Sequence, residues 1–325
     1  MKIRFWMMGL AMFLALGFAA AATTYYINDS STVGDVYCTQ LGNDANDGRT
    51  PSTPKLALNN LLDTYTLSAG DVVLIDTGTY TIDTNSIAIG TNVNGVATNR
   101  IVFQGSTNLA SGGTTFTSTN YVPLFEVQGS HLAFYDIRGI GGLNTFSLKG
   151  ASSCVPDRIV GLQAGQAIRL EGGARSNAIR RCVFHAVLYS AAGGDLPGSA
   201  NYMENCVIWS TRSAAFAPQM GLFSNYVNNI GVGVYAMGGL GYGIDIGSRN
   251  ILSYSQSFSV PYETMADYCR VYTNFQNNTV ADPKFVNADG FDFHLLSASG
   301  FVSNGVWVTN ATVGFSPGID FGPRE

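Results

Sequence analysis

Charge is what this chain has least of. Only 12% of its 325 residues are Asp, Glu, Lys or Arg, about half the share usual in soluble domains. The 17 basic and 22 acidic residues leave a net charge of −5, and the basic residues form no run or stripe. That excludes the electrostatic footprint of a nucleic-acid-binding protein. Low charge beside 46% hydrophobic residues also excludes a disordered, solvating chain. Five cysteines, an odd number spread through the chain, are too few for a disulfide scaffold, so the core must hold the fold. Long amphipathic helical patterns are scarce, and past the first two dozen residues no second membrane-length apolar run occurs.

The first residues read as an address. Lys2 and Arg4 precede an unbroken apolar run over residues 5–22 that ends in four alanines. A positive start, an apolar stretch and a small-residue exit make a secretory signal, cleaved near Ala22; an uncleaved anchor is the rival reading. The expectation is an extracytoplasmic protein, secreted or at the cell surface, with no membrane contact after cleavage.

The informative feature is an internal repeat. Polar residues precede an apolar slot in Tyr135-Asp136-Ile137, Asp157-Arg158-Ile159, Arg180-Arg181-Cys182, Glu204-Asn205-Cys206, Asn228-Asn229-Ile230, Arg249-Asn250-Ile251 and Asn277-Asn278-Thr279. Successive slots at 137, 159, 182, 206, 230, 251 and 279 are 22, 23, 24, 24, 21 and 28 residues apart. Between them lie short Val, Ile, Phe and Tyr runs separated by Gly, Asn and Ser, a strand-and-turn pattern. A period in the low twenties with short strands suggests a parallel β-solenoid whose coils stack about 4.8 Å apart. Ile137, Ile159, Cys182, Cys206, Ile230 and Ile251 should then form an internal column, with Cys182 and Cys206 as stacked thiols. Asn205, Asn229, Asn250 and Asn278 should form a ladder at a turn, where Asn tolerates the left-handed backbone. A β-sandwich is the structural alternative. The one good helix candidate runs over residues 53–67, with Thr53 as N-cap, Pro54 at the first helical position, and Leu58, Leu61, Leu62 and Tyr65 on one face. It is expected to cover the N-terminal end of an all-β, right-handed parallel β-helix. The expected layout is a signal peptide at 1–22, an N-terminal segment with capping helix at 23–70, coils at 71–280 and a closing segment at 281–325.

Several stretches then resemble a known group. Gly42-Asn43-Asp44-Ala45-Asn46-Asp47-Gly48 with Pro51 and Pro54, and the run from Ala69-Gly70-Asp71 through Asp76-Thr77-Gly78-Thr79-Tyr80, resemble the opening of secreted right-handed parallel β-helix proteins. Asp282-Pro283-Lys284-Phe285-Val286, Asp292-Phe293-His294-Leu295 and Ser316-Pro317-Gly318-Ile319-Asp320 resemble their close. The chain thus resembles the pectin-lyase-like superfamily, in its bacterial surface branch. The resemblance implies the fold and an extracytoplasmic place. It carries over no catalytic set, because the chain has no Asp-Asp pair, no Gly-His-Gly and no Trp-Ile-Asp-His.

Chemistry must therefore be sought in the residues. A polysaccharide lyase has to neutralise a uronate carboxylate and remove the proton beside it. The densest charged patch suits both tasks: Arg169, Arg180, Arg181 and His185 as the catalytic candidates, with Glu171, Arg175, Glu204 and Trp209 as binding residues. The competing reading makes the same charges a solvated outer face. Tyr202, Trp209, Tyr226, Tyr235, Tyr242 and Tyr254 fall on consecutive coils, where aromatic faces can stack on sugars. Asp44, Asn46, Asp47 and Gly48 look like half of a calcium loop, but position twelve is Lys55 rather than Glu, so Ca²⁺ is possible and an Asp/Asn turn is the alternative. No other metal site is expected. Two functions stay open: a glycan-interacting or structural protein of the cell surface, and a lyase acting on an acidic glycan.

Overall fold

The structure, a computed structural model, describes residues 21–82, 84–187 and 201–210, and otherwise the backbone of short strands between 192 and 308. Most of the expected leader, Cys269, Tyr242, Asn229, Asn250, Asn278 and the stretch after 308 lie outside the described residues.

The chain winds repeatedly through three parallel sheets of eight, nine and seven strands. One coil passes from Leu132–Tyr135 in the first sheet to Ile137–Gly141 in the second and Phe146–Lys149 in the third. The next repeats this with Val155–Asp157, Val160–Ala164 and Ile168–Glu171, and the one after with Ala178–Arg180, Val183–Ala186 and Ala192–Gly194. Each strand pairs in parallel with its equivalent one coil away, so this is a parallel β-helix. Alternation sets the faces: Val73, Phe103, Phe134, Ile179 and Met203 point inward from the first sheet and are essentially inaccessible. Phenylalanines stack coil upon coil inside, Phe103 on Phe134 at 4.9 Å and Phe125 on Phe146 at 4.8 Å.

The corner between the first two sheets explains the repeated slot. Asp136, Arg158, Arg181 and Asn205 all adopt the left-handed conformation, with φ of 55°, 56°, 51° and 54°. This single-residue reversal turns the next side chain inward. Ile137, Ile159, Cys182 and Cys206 are accordingly buried. Cys182 lies in register with Cys206, whose Sγ accepts the Cys182 N–H at 3.4 Å. Both are free thiols, and burial raises that of Cys182. The expected column breaks after Cys206. Ile230 pairs with Val207, not with Cys206, and Ile251 and Thr279 follow Ile230. The spacing of 23 from Val207, rather than 24 from Cys206, sets the register there.

An asparagine ladder stands at another corner; of the one expected, only Asn205 lies among the described residues. Asn177 and Asn201 are fully buried. The Asn177 Oδ1 accepts the Cys154 N–H at 2.9 Å, while its Nδ2 donates to the Ala151 carbonyl and to the Asn201 Oδ1. The Asn201 Nδ2 in turn donates to the Ala174 carbonyl. The ladder satisfies buried backbone groups that bridge three coils.

At the N-terminal end, Thr24–Ile27 forms the outermost strand of the first sheet, beyond Val72–Ile75. Its outer edge is occupied by the segment 48–55: Tyr26 donates to the Gly48 carbonyl and accepts from Lys55 N–H. That blocks a strand edge otherwise open to pairing. The helix is shorter than expected, Leu58–Thr64, with Ala57 as N-cap. Thr53 does not cap it; its hydroxyl bonds Asp47, and the Pro54 carbonyl accepts the Asn43 N–H. Asp44 takes the free amides of Leu56 and Ala57 instead. Leu58 and Leu61 enter the core.

Candidate functional site

The charged residues singled out in the sequence are divided by the coil geometry among three places. Arg169 and Glu171 lie on the outer face of the third sheet, in the strand Ile168–Glu171. Arg175 lies exposed in the turn that leads back to the first sheet. Arg180 and Glu204 face outward from the first sheet, in register one coil apart, and Arg181 forms the corner beside them. His185 and Trp209 are register partners in the second sheet. Arg180, Arg181 and Glu204 are thus brought together; Arg169 with Glu171, and His185 with Trp209, stand apart from them.

Two arginines at the corner, Arg158 and Arg181, already hold a carboxylate, and Arg180 lies near one. Arg158 clamps Asp136 in a fork, Nε to Oδ1 and Nη2 to Oδ2 at 2.7 Å each. Arg181 repeats the fork on Asp157 of the preceding coil. Arg180 Nε is 3.8 Å from Glu204, and Arg169 Nε is 3.1 Å from Glu171, which also accepts the Ser147 hydroxyl at 3.0 Å. Carboxylate hydrogen bonds hold the Arg158 and Arg181 guanidiniums above their ordinary value. Each left-handed arginine costs about 1–2 kcal/mol in backbone strain, and the bidentate pair at the same corner offsets it. The corner forms a staircase: the arginine of one coil grips the aspartate of the coil before, leaving little net positive potential.

His185 is 6% exposed, and desolvation lowers its pKa, keeping the imidazole neutral. Its Nδ1 accepts the Gln163 N–H at 3.3 Å, where a one-residue bulge interrupts the strand Val160–Ala164. The ring packs edge-on against Trp209 at 5.2 Å. The lone pair a general base would use is therefore engaged by backbone.

Three cations, Lys149, Arg175 and Arg138, differ from this pattern. Lys149 and Arg175 are exposed, and neither forms an ion pair among the described residues. Arg138, on the outer face of the second sheet, is partly buried with its Nε lacking any hydrogen-bond partner, and desolvation lowers its pKa. Its signal in the sequence was the missing acid one coil away: its register neighbours are Thr115 and Val160.

The half calcium loop is filled by the protein's own groups. Asp44 accepts two amides, Asp47 accepts the Arg49 N–H and the Thr53 hydroxyl, and Asn46 donates to the Pro54 carbonyl. The ammonium of Lys55, a residue only 3% exposed, donates to the Asp44 carbonyl at 3.1 Å and the Asn60 Oδ1 at 2.6 Å. A cation is thus built into the place where Ca²⁺ would sit, so the donor set does not fit Ca²⁺. Among the described residues no group of three or more His, Cys, Asp or Glu is placed to hold a metal, and no helix is long and apolar enough to cross a membrane. Of the aromatic series, Tyr202 is half-buried on the outer face of the first sheet. The side chains of Tyr226, Tyr235 and Tyr254, and of His294, lie outside the described residues.

No protein-family model matches the chain, and no curated protein does. Solved structures do. A rhamnogalacturonan lyase is 17% identical with a TM-score of 0.52, over 72% of this chain and 69% of its own. The pectate lyase Pel9A is 16% identical with a TM-score of 0.51, over 72% of this chain and 64% of its own, so the chain spans a little less than two thirds of that protein. The chain therefore has the parallel β-helix fold of the pectin-lyase-like proteins.

Proposed function

We propose that this is an exported β-helix protein that binds a polysaccharide through its outer faces without cleaving it. The observation that carries this reading is the bidentate pairing of Arg158 and Arg181 with Asp136 and Asp157. β-Elimination needs cationic groups that gain a uronate carboxylate in the transition state, and a guanidinium already forked to an aspartate has little to offer. The burial of His185 and the Gln163 N–H held by its Nδ1 support the same reading. Lys149 and Arg175, one coil apart and exposed, supply charge for loose contact with an acidic glycan, while the outward Arg169 and Glu171 supply hydrogen bonds. The apolar leader supports an extracytoplasmic location.

A second reading, elimination on a uronate glycan, is favoured by the names of the two structural neighbours and by Arg138, whose guanidinium has no acidic partner among the described residues. One experiment separates them. The protein is applied to a glycan array and incubated with uronate polysaccharides, with and without Ca²⁺, while ultraviolet absorbance of unsaturated product is followed. The binding reading expects reversible array signals, weakened about tenfold in the double variant Lys149→Ala/Arg175→Ala, and no absorbance rise. A rise abolished by Arg138→Ala overturns it in favour of the lyase.

A further inference from the structure

A cleft of about 440 Å³ opens in the first coil, between the start of the helix Leu58–Thr64, the strand Gly78–Thr81 and the chain that follows it. The size suits a small ligand, for which clefts of about 300–1,000 Å³ are usual. It lies several coils from the arginine staircase.

Its lining is chemically specific. Leu56, 40% exposed, gives the lining an apolar face, above the buried Phe116 and Ile87, with Phe116 stacked on Tyr80. The Tyr80 hydroxyl is turned away and donates to the Asp76 carbonyl. The rim carries neutral hydroxyl and amide groups. Thr79 and Thr81 point outward from their strand and are exposed, as is Asn85, and no hydrogen bond engages their side chains. Asn59 donates its amide to the Ser86 carbonyl at 3.3 Å, which leaves its Oδ1 as an acceptor. Asp29 is the one charged lining residue among those described. Its carboxylate is fixed by the Ser31 N–H at 2.7 Å and the Thr79 N–H at 3.1 Å, and each oxygen keeps a further lone pair. Gly78 permits this approach: a Cβ there would sit 2.3 Å from the Asp29 carboxylate.

We propose that this cleft is a binding site for one or two neutral sugar residues. The exposed side chain of Leu56 offers an apolar contact to the C–H face of a pyranose. Asp29 and Asn59 accept its hydroxyl protons, and Thr79, Thr81 and Asn85 complete the hydrogen bonding. Among the described lining residues a single carboxylate with no cation beside it repels a uronate, and it is too little negative charge to select an amine. The site goes beyond the acidic-glycan surface proposed above and stands or falls separately, because its ligand class and its residues are different.

The test is saturation-transfer NMR on the full chain with methyl glycosides of rhamnose, galactose and glucose, beside methyl galacturonoside and glucosamine. At least one neutral glycoside should saturate with a Kd of roughly 1 mM, as expected for so small a ligand. Galacturonoside should bind at least tenfold more weakly. Thr81→Val and Asn85→Ala, both at exposed positions and each checked for an unchanged melting temperature, should each weaken binding about fivefold. The proposal is overturned by silence from every neutral glycoside, by a preference for galacturonoside or glucosamine, or by binding that both variants leave intact. Lys149→Ala/Arg175→Ala should leave neutral-sugar binding unchanged, which separates failure here from failure of the outer-face reading.

Discussion

Replacing Phe134 with alanine should lower the unfolding free energy by about 3–5 kcal/mol. The ring is fully buried, stacks on Phe103 at 4.9 Å and 10°, and meets Phe146 edge-on at 5.0 Å and Phe125 at 6.2 Å. Those four rings come from neighbouring coils, and Phe103 and Phe134 are direct register partners. In a globular core neighbours can shift into a void. Here the spacing between coils is held by parallel ladders on three sides, so collapse is restricted and the cost should fall at the upper end of that range. Phe134→Leu, which keeps most of the volume, should cost about 1–1.5 kcal/mol. Guanidinium unfolding followed by circular dichroism measures both. Equal costs would mean that the rings do not share a packed interior.

Asn177→Ala should cost about 2–4 kcal/mol, although it removes only an amide. It orphans the buried Cys154 N–H and takes one donor each from the Ala151 carbonyl, which keeps the Arg175 N–H, and from the Asn201 Oδ1, which keeps the Asn177 N–H. An orphaned buried group costs about 1–3 kcal/mol and a lost hydrogen bond about 1, and a shared network makes the sum less than additive. The defect should also be local, because each coil of a solenoid contacts only its neighbours. Hydrogen exchange should show the amide of Cys154 losing protection, while those of the strand Val72–Ile75 keep theirs. An exposed asparagine would change by a few tenths of a kcal/mol, so a small loss would remove the ladder from the account.

Much of this architecture was legible in the repeat. The polar residue before each apolar slot is the left-handed corner, and Asp136, Arg158, Arg181 and Asn205 fill it as the spacing implied. The slip at Ile230 shows the limit of that reading. Side chains alternate faces along a strand, so a one-residue error in register exchanges inside for outside. The Asn-Asn-Ile resemblance to Glu-Asn-Cys chose the wrong frame. The ladder of Asn177 and Asn201 was missed although those residues lie 24 positions apart. Attention to one conspicuous asparagine series hid a second at the same period. The helix begins later than its Thr-Pro signature because Asp47 already holds Thr53.

The charged patch was legible as a set of residues but not as a set of pairs. Adjacent in sequence, Arg169, Arg175, Arg180, Arg181 and His185 look like one basic surface. Folding at about eight residues per sheet passage sends them to different faces. At the corner the acids sit one coil away: Asp136 lies 22 positions before Arg158, and Asp157 lies 24 before Arg181. Reading charge at the period of the solenoid, rather than along the chain, would have found these pairs.

The stacking of the coils in register is tested most directly by pulsed electron-electron resonance between spin labels at Gln104→Cys and Glu204→Cys, in a Cys269→Ser background. The native thiols at 38, 154, 182 and 206 are buried and should not label. The two positions share an outward file of the first sheet, through Tyr135, Asp157 and Arg180. Four inter-strand steps of about 4.8 Å put them about 19 Å apart at the backbone. A single narrow distribution near that distance is the result predicted; a separation beyond about 30 Å, where no run of four adjacent strands could place them, would contradict it.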